Sequence, residues 1–229
     1  LSSKEHSLAI LFIYPSSIPY KRKVIFPKSK NISLSKIDTP VVSFIGAGNF
    51  SGRQLIPAFK RAGADLFAIS SLDGLKPYNL AKKFSFKEAS TDIDYIFDSE
   101  EVNTIVIATR HDSHYKYVKK ALLKGKNVYV EKPLCLNKID LHDLERTLNN
   151  TKNKFLKKNL NPPILMVGFN RRFAPLIIDL KKKLSHFTSP KSFIFTCNAG
   201  YLPPNHWINE HVGEELAKIT SILIPLSKA

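Results

Sequence analysis

Four short apolar runs, at 41–45, 65–70, 103–109 and 126–130, punctuate this chain. Each is too short for a helix and too continuous for a half-exposed strand, so each predicts a strand buried on both faces. Between them the apolar positions fall at helical spacing near 51–62, 76–84, 92–98 and 113–124. Strand alternating with helix predicts a βαβ architecture around a parallel sheet. Punctuation agrees with that pattern. Gly63 and Gly125 stand where helix C-caps belong, and Asp112 or Ser113 is placed to N-cap the fourth helix. Pro57 falls inside the first predicted helix and predicts a kink or local irregularity there.

Downstream, Leu141, Leu144 and Leu148 recur at helical spacing within a lysine-rich helix over 137–158, and Asn161-Pro162-Pro163 breaks the chain. A strand over 164–169, a helix over 172–185 and a strand of period-two character over 192–198 follow; 214–229 shows no convincing element. Upstream, 8–14 reads as a strand ahead of a Lys/Ser/Pro-rich tether. Three units result: strand and tether at 1–39, a doubly wound α/β domain at 40–160, and an incomplete α+β domain at 161–229.

Composition narrows the picture only slightly. Net charge is +16, but just seven of the 35 basic residues are arginine, the better fork for phosphate. The lysines are scattered over predicted helix faces and loops, which favours a solvated surface over a nucleic-acid patch. Cys135 and Cys197 match neither a zinc spacing nor a disulfide framework, so no metal is expected and a reducing cytoplasm suits the thiols. No apolar run approaches the length that spans a bilayer. The run at 8–14 lacks the small-residue cleavage site of a signal peptide.

The chemistry lies at two strand ends. Gly46-Ala47-Gly48-Asn49-Phe50 follows the first run, at a strand-to-helix turn where backbone amides and a helix N-terminus receive a pyrophosphate. The third glycine of that fingerprint is displaced, with Ser51 in its place and Gly52 next. The second run ends at Ser70-Ser71, with Asp73 beyond, where an acid would hold an adenosine ribose and an arginine a 2′-phosphate; NAD and NADP both remain open. Thr109 and Arg110 follow the third run and are candidates for the nicotinamide half; His114 is either a cofactor neighbour or a packed histidine. Glu131-Lys132-Pro133 follows the fourth. There the proline holds Lys132 extended, and a partly desolvated lysine beside a substrate hydroxyl lowers the cost of its deprotonation.

These residues resemble the Gfo/Idh/MocA oxidoreductase family, which pairs an N-terminal Rossmann domain with a C-terminal substrate domain. The likeness rests on FIGAGNFSGRQLIPAFK, IVIATRHDSHYKYVKKALLKGKNVYVEKPL, MVGFNRRFAPL and NAGYLPPNHW. The last two look like a branch often fused behind a zinc-type alcohol dehydrogenase domain, of which 1–39 would be a remnant. The resemblance implies that Gly46, Gly48, Asn49 and Phe50 line the pyrophosphate; Ser70 is a cofactor-binding candidate from its place at the tip of the second strand. It puts Thr109, Arg110, His114 and Glu131 around the rest of NAD or NADP, and makes Lys132 the catalytic lysine. Asn170, Arg171, Arg172, His206 and Trp207 would face a sugar, nucleotide sugar or polyol, with a structural ion pair as the rival role for the arginines and a packed loop for His206-Trp207. Intact relatives assemble through the substrate-domain sheet.

After Val212-Gly213-Glu214 the family pattern is lost, and no histidine follows His211. The expectation is therefore a truncated or frame-disrupted member that retains dinucleotide affinity with little turnover. The rival is a non-catalytic dinucleotide-binding module or degenerate gene product.

Overall fold

The computed structural model describes residues 22–27, 39–190, 192, 194, 196 and 201. The predicted strands at 8–14 and 192–198, the segment 214–229, and His206 and Trp207 fall wholly or largely outside them.

Seven strands form one sheet in the order β1-β4-β3-β2-β5-β6-β7. They are β1 (Lys23–Ile25), β2 (Val41–Ile45), β3 (Asp65–Ser70), β4 (Glu88–Ser90), β5 (Thr104–Ile107), β6 (Asn127–Val130) and β7 (Leu165–Val167). Strands β2 to β7 pair in parallel. From β2 the chain winds outward through β3 to β4, then returns to the other side of β2 and winds through β5 to β7. This reversal is the topological switch of a doubly wound Rossmann sheet. The predicted α/β class and the four central strands are borne out.

Helices α1 (Ile56–Arg61), α2 (Leu75–Phe84), α3 (Asp94–Asp98), α4 (His114–Leu123), α5 (Lys138–Leu156) and α6 (Pro175–Leu184) follow the strands. Two apolar clusters result, because successive strand residues point to opposite faces. Val42, Phe44, Leu66, Ile69 and Val106 pack with Leu55, Ile56 and Ala81. Ile45, Ile105, Ile107, Val128 and Val130 pack with Ile96, Phe97, Val118, Leu122 and Leu144. Both faces of the sheet are thus covered, which is what continuous apolar strands require.

Local chemistry accounts for the element ends. Gly63 and Gly125 adopt φ of 85° and 70°, ending α1 and α4 as predicted. The Asn137 side chain accepts from the Asp140 N–H at 2.8 Å, capping α5. Neither Asp112 nor Ser113 caps α4 as expected. A 3₁₀ turn, His111–Ser113, leads into that helix instead, and the Ser113 hydroxyl donates back to the Arg110 carbonyl at 2.8 Å.

Pro57 does mark an irregularity. The helix after Gly48 runs through one π turn, Ser51–Leu55, where the Ile56 N–H donates to the Ser51 carbonyl. Pro57 follows directly on that π turn inside one continuous helical stretch, so the irregularity sits where the proline withholds an N–H.

Two strands lay hidden in the sequence. Glu88-Ala89-Ser90 has no β-branched residue, yet β4 is buried throughout between two partners. Strand β1 lies inside the expected tether and pairs antiparallel with β4, with Lys23 and Glu88 in an ion pair at 2.8 Å. Strand β7, placed beyond the predicted boundary at 160, extends the same sheet.

Candidate functional site

Register aligns the strand ends. Ile45 sits beside both Ser70 and Ile107, Ile107 beside Val130, and Val130 beside Val167. The residues that follow, Gly46, Ser71, Ala108, Glu131 and Gly168, therefore lie along one carboxyl edge. The last ladder bonds run along that edge, with Gly46 N–H to Ser70 O at 2.8 Å, Glu131 N–H to Ile107 O at 2.9 Å and Gly168 N–H to Val130 O at 2.8 Å. The glycine loop, Thr109-Arg110, Glu131-Lys132 and Asn170-Arg171-Arg172 thus share one side of the sheet, and Lys132 is on the same edge as the bend at Gly46.

Each glycine of the loop has a separate role. Gly46 has φ of 106°, and a Cβ there would overlap the backbone carbonyl of Ala108, 2.6 Å from its carbon. It lets the chain turn hard against the end of β5. Gly48 is exposed, and a Cβ there would meet nothing within 4 Å. The fold does not require this glycine; the open space above its backbone is a cradle in which a phosphate can approach the N–H groups. Gly52 packs on α2, since a Cβ there would come within 2.9 Å of the Leu80 side chain. It allows a close helix–helix approach to α2, one residue past the third glycine's place in the fingerprint, which serves helix–strand packing. The π turn absorbs that extra residue. Asn49 and Phe50 are exposed at the start of this helix. The first N–H groups of any helix lack intrahelical acceptors, so the loop fits a pyrophosphate.

Ser70 is a correction. It is fully buried, and its hydroxyl lies 2.9 Å from the carbonyls of both Ser90 and Asp92. It fastens β3 to β4 and offers no hydroxyl to a ribose. Asp73 is engaged by Lys76 at 3.0 Å and by the Leu75 N–H at 3.2 Å, so its carboxylate is held below the usual range, chiefly by the Lys76 hydrogen bond.

Across the switch point, the Thr109 and Ser113 hydroxyls are 2.6 Å apart, and Arg110 is exposed. His114 takes the packed alternative. It is fully buried, with Nδ1 at 2.7 Å from the Pro133 carbonyl and Nε2 at 3.1 Å from the Thr109 carbonyl, leaving neither nitrogen turned to a ligand. Burial holds its pKa below the ordinary imidazole range, and Lys132 acts in the same direction against its two carbonyls and Asp112. An unfolded imidazole titrates near 6.5. With the folded pKa lower, stability is full above about 6.5 and falls as pH drops through the folded value. Urea midpoints between about pH 7 and 5 should therefore decline more steeply for wild type than for His114→Asn; parallel slopes would show a ring that is not held neutral.

Glu131 is half-buried and accepts from the Tyr129 hydroxyl at 2.9 Å; desolvation raises the carboxyl pKa, with the tyrosine bond and Lys132 opposing. Tyr129 rests edge-on against Phe59. Gly168 leaves room for this pair, as a Cβ there would lie 2.6 Å from the Tyr129 hydroxyl and 2.7 Å from Glu131 Oε1. Neither Tyr129 nor Gly168 was singled out in the sequence, although Tyr129 and Glu131 share one face by period two. The Lys132–Pro133 peptide is cis, and Lys132 is half-buried.

Asn170, Arg171 and Arg172 fall in a 3₁₀ turn just past β7. Arg172 donates to the Phe169 carbonyl at 3.2 Å and lies over its ring, so local structure holds it; Asn170 and Arg171 are exposed. No cluster of metal ligands occurs among the described residues, and none of their helices is long and apolar enough to cross a membrane.

Comparison with known proteins agrees with this geometry. A family model described as an oxidoreductase family with an NAD-binding Rossmann fold, Gfo/Idh/MocA, matches residues 41–158, just over half of the chain. Oxidoreductase P35 of Formosa agariphila is 28% identical over 141 residues, 61% of this chain and 41% of that protein. Myo-inositol 2-dehydrogenase of Thermotoga maritima is 28% identical over 131 residues, covering 57% and 36%. A solved structure of a putative myo-inositol dehydrogenase from Sinorhizobium meliloti superimposes with a TM-score of 0.56 at 26% identity, covering 65% and 41%. The matched part of the chain spans about two-fifths of the length of these relatives.

Proposed function

The chain belongs to the Gfo/Idh/MocA oxidoreductase family, and on that premise we propose that it binds NAD or NADP across its switch point and serves hydride transfer to or from a sugar, nucleotide sugar or polyol. The observation that carries this reading is the shared carboxyl edge of the Gly46–Phe50 loop and Lys132. When bound, the dinucleotide supplies the hydride acceptor or donor. The backbone of Gly46 to Phe50 receives the pyrophosphate at the helix start. Thr109, Arg110 and Glu131 flank the nicotinamide half, with Tyr129 fixing the carboxylate of Glu131. Lys132 approaches the reacting hydroxyl from the end of β6, where a cation favours the oxyanion over the alcohol. Asn170 and Arg171 extend the same edge toward the substrate. Relatives named as inositol dehydrogenases support a polyol or sugar.

Because Asp73 is tied to Lys76, the test runs both cofactors in parallel. Fluorescence titration of the full chain with NADH and with NADPH is expected to show saturable binding of at least one, at roughly 1 μM–1 mM as for ordinary enzyme ligands. No saturation by either would overturn the reading. Turnover assayed with inositol and nucleotide sugars then separates an oxidoreductase from a module that only holds the dinucleotide.

A further inference from the structure

We infer that His114 is a positioning residue that fastens the loop carrying Lys132 to the start of α4; the inference rests on the proposed dinucleotide site and deepens it. His114 opens α4. Its ring reaches two loops that arise from neighbouring strands: Thr109 follows β5, and Pro133 follows β6. The carbonyls it meets are those of the residue that heads the Thr109-Arg110 loop and of the proline immediately after Lys132. The ring is fully buried beneath the edge, and the buried ring of His111 stands edge-on at 5.6 Å.

A ladder bond between β5 and β6 ends at Glu131 N–H to Ile107 O, so beyond that point the sheet no longer holds the two loops in register. His114 fastens the second of them to the start of α4. A neutral imidazole has one N–H, and the shorter contact, 2.7 Å to the Pro133 carbonyl, assigns it to Nδ1. Losing that donor leaves the Pro133 carbonyl without this partner and releases the backbone next to Lys132 from the start of α4. The side chain thus acts through Pro133, while its own atoms touch no ligand.

The donor position makes the role testable. An asparagine amide nitrogen, like Nδ1, is bonded to Cγ and reaches the Pro133 carbonyl; a glutamine amide nitrogen reaches instead toward the place of Nε2; leucine fills the volume without a donor. The full chain and its His114→Asn, His114→Gln and His114→Leu variants are titrated with NADH or NADPH, whichever wild type binds, and thermal midpoints are recorded in parallel. The expected result is an affinity within about threefold of wild type for asparagine and a loss of about tenfold or more for glutamine and leucine, on the scale of one buried hydrogen bond. Should the leucine variant fail to fold, the asparagine–glutamine comparison decides. Equal affinity in all variants, equal loss in all variants, or rescue by glutamine in place of asparagine overturns the inference while the dinucleotide site stands. A wild-type chain that binds neither cofactor overturns the proposed function, and this inference with it.

Discussion

Gly46→Ala is expected to lower the thermal midpoint of the chain by about 10 °C, read from a circular-dichroism melt. Two penalties combine. A φ of 106° is a backbone conformation that side chains with a Cβ rarely adopt, and holding one there costs about 1–3 kcal/mol. The added methyl also overlaps the Ala108 carbonyl, which is backbone at the end of a central strand and cannot rotate away; overpacking of that kind costs roughly 1–3 kcal/mol more. For a domain of this size each kcal/mol moves the midpoint by about 2–4 °C. The strain sits at the switch point, between β2 and β5, so dinucleotide affinity should fall with it. A midpoint within about 2 °C of wild type would show that the loop can relax, and that the close approach to β5 is not fixed by the fold.

Gly48→Ala is expected to do the opposite, leaving the midpoint unchanged or slightly raised while reducing NADH or NADPH affinity roughly 10- to 100-fold. Gly48 is not among the glycines of positive φ, and a Cβ meets nothing within 4 Å, so alanine costs the fold nothing. It also restricts the unfolded chain, worth about 0.4–1 kcal/mol of stability. What it fills is the space through which a phosphate would reach the helix N-terminus. Loss of one charge-assisted hydrogen bond is worth about 1.5–3 kcal/mol, which gives the stated factor. Unchanged affinity in a folded Gly48→Ala variant would place the pyrophosphate elsewhere. The pair of glycines thus separates what the loop does for the sheet from what it does for a ligand.

Much of this was legible in the residues themselves. The runs at 41–45 and 65–70 coincide with β2 and β3, because a strand covered on both faces is apolar at most positions, with Ser43 and Ser70 as buried exceptions. Gly63, Gly125 and Pro57 announced two helix ends and one irregular turn through constraints that act within a few residues. The glycine loop and the lysine that follows β6 could be placed on one edge because parallel strands all end there.

Other features depend on partners distant in sequence. Strand β4 has no strand-like composition; its three residues are extended because β3 on one side and β1 on the other supply hydrogen bonds. Ser70 looked like a ribose contact, since nothing nearby shows that Ser90 and Asp92 would present carbonyls to it. His114 was equally ambiguous, as the two carbonyls against its ring come from loops 5 and 19 residues away. Gly52 could be given its packing role only once the π turn and the Leu80 side chain were both in view.

The amino-acid sequence by itself determined the alternation of strand and helix, the doubly wound class and which strand ends carry chemistry, because periodicity, glycine and proline act locally. Only the tertiary structure decided which polar side chains at those ends face open space and which are consumed in holding the loops. A buried hydroxyl or imidazole takes its role from whatever backbone groups the fold brings within about 3 Å of it, and those groups belong to other strands.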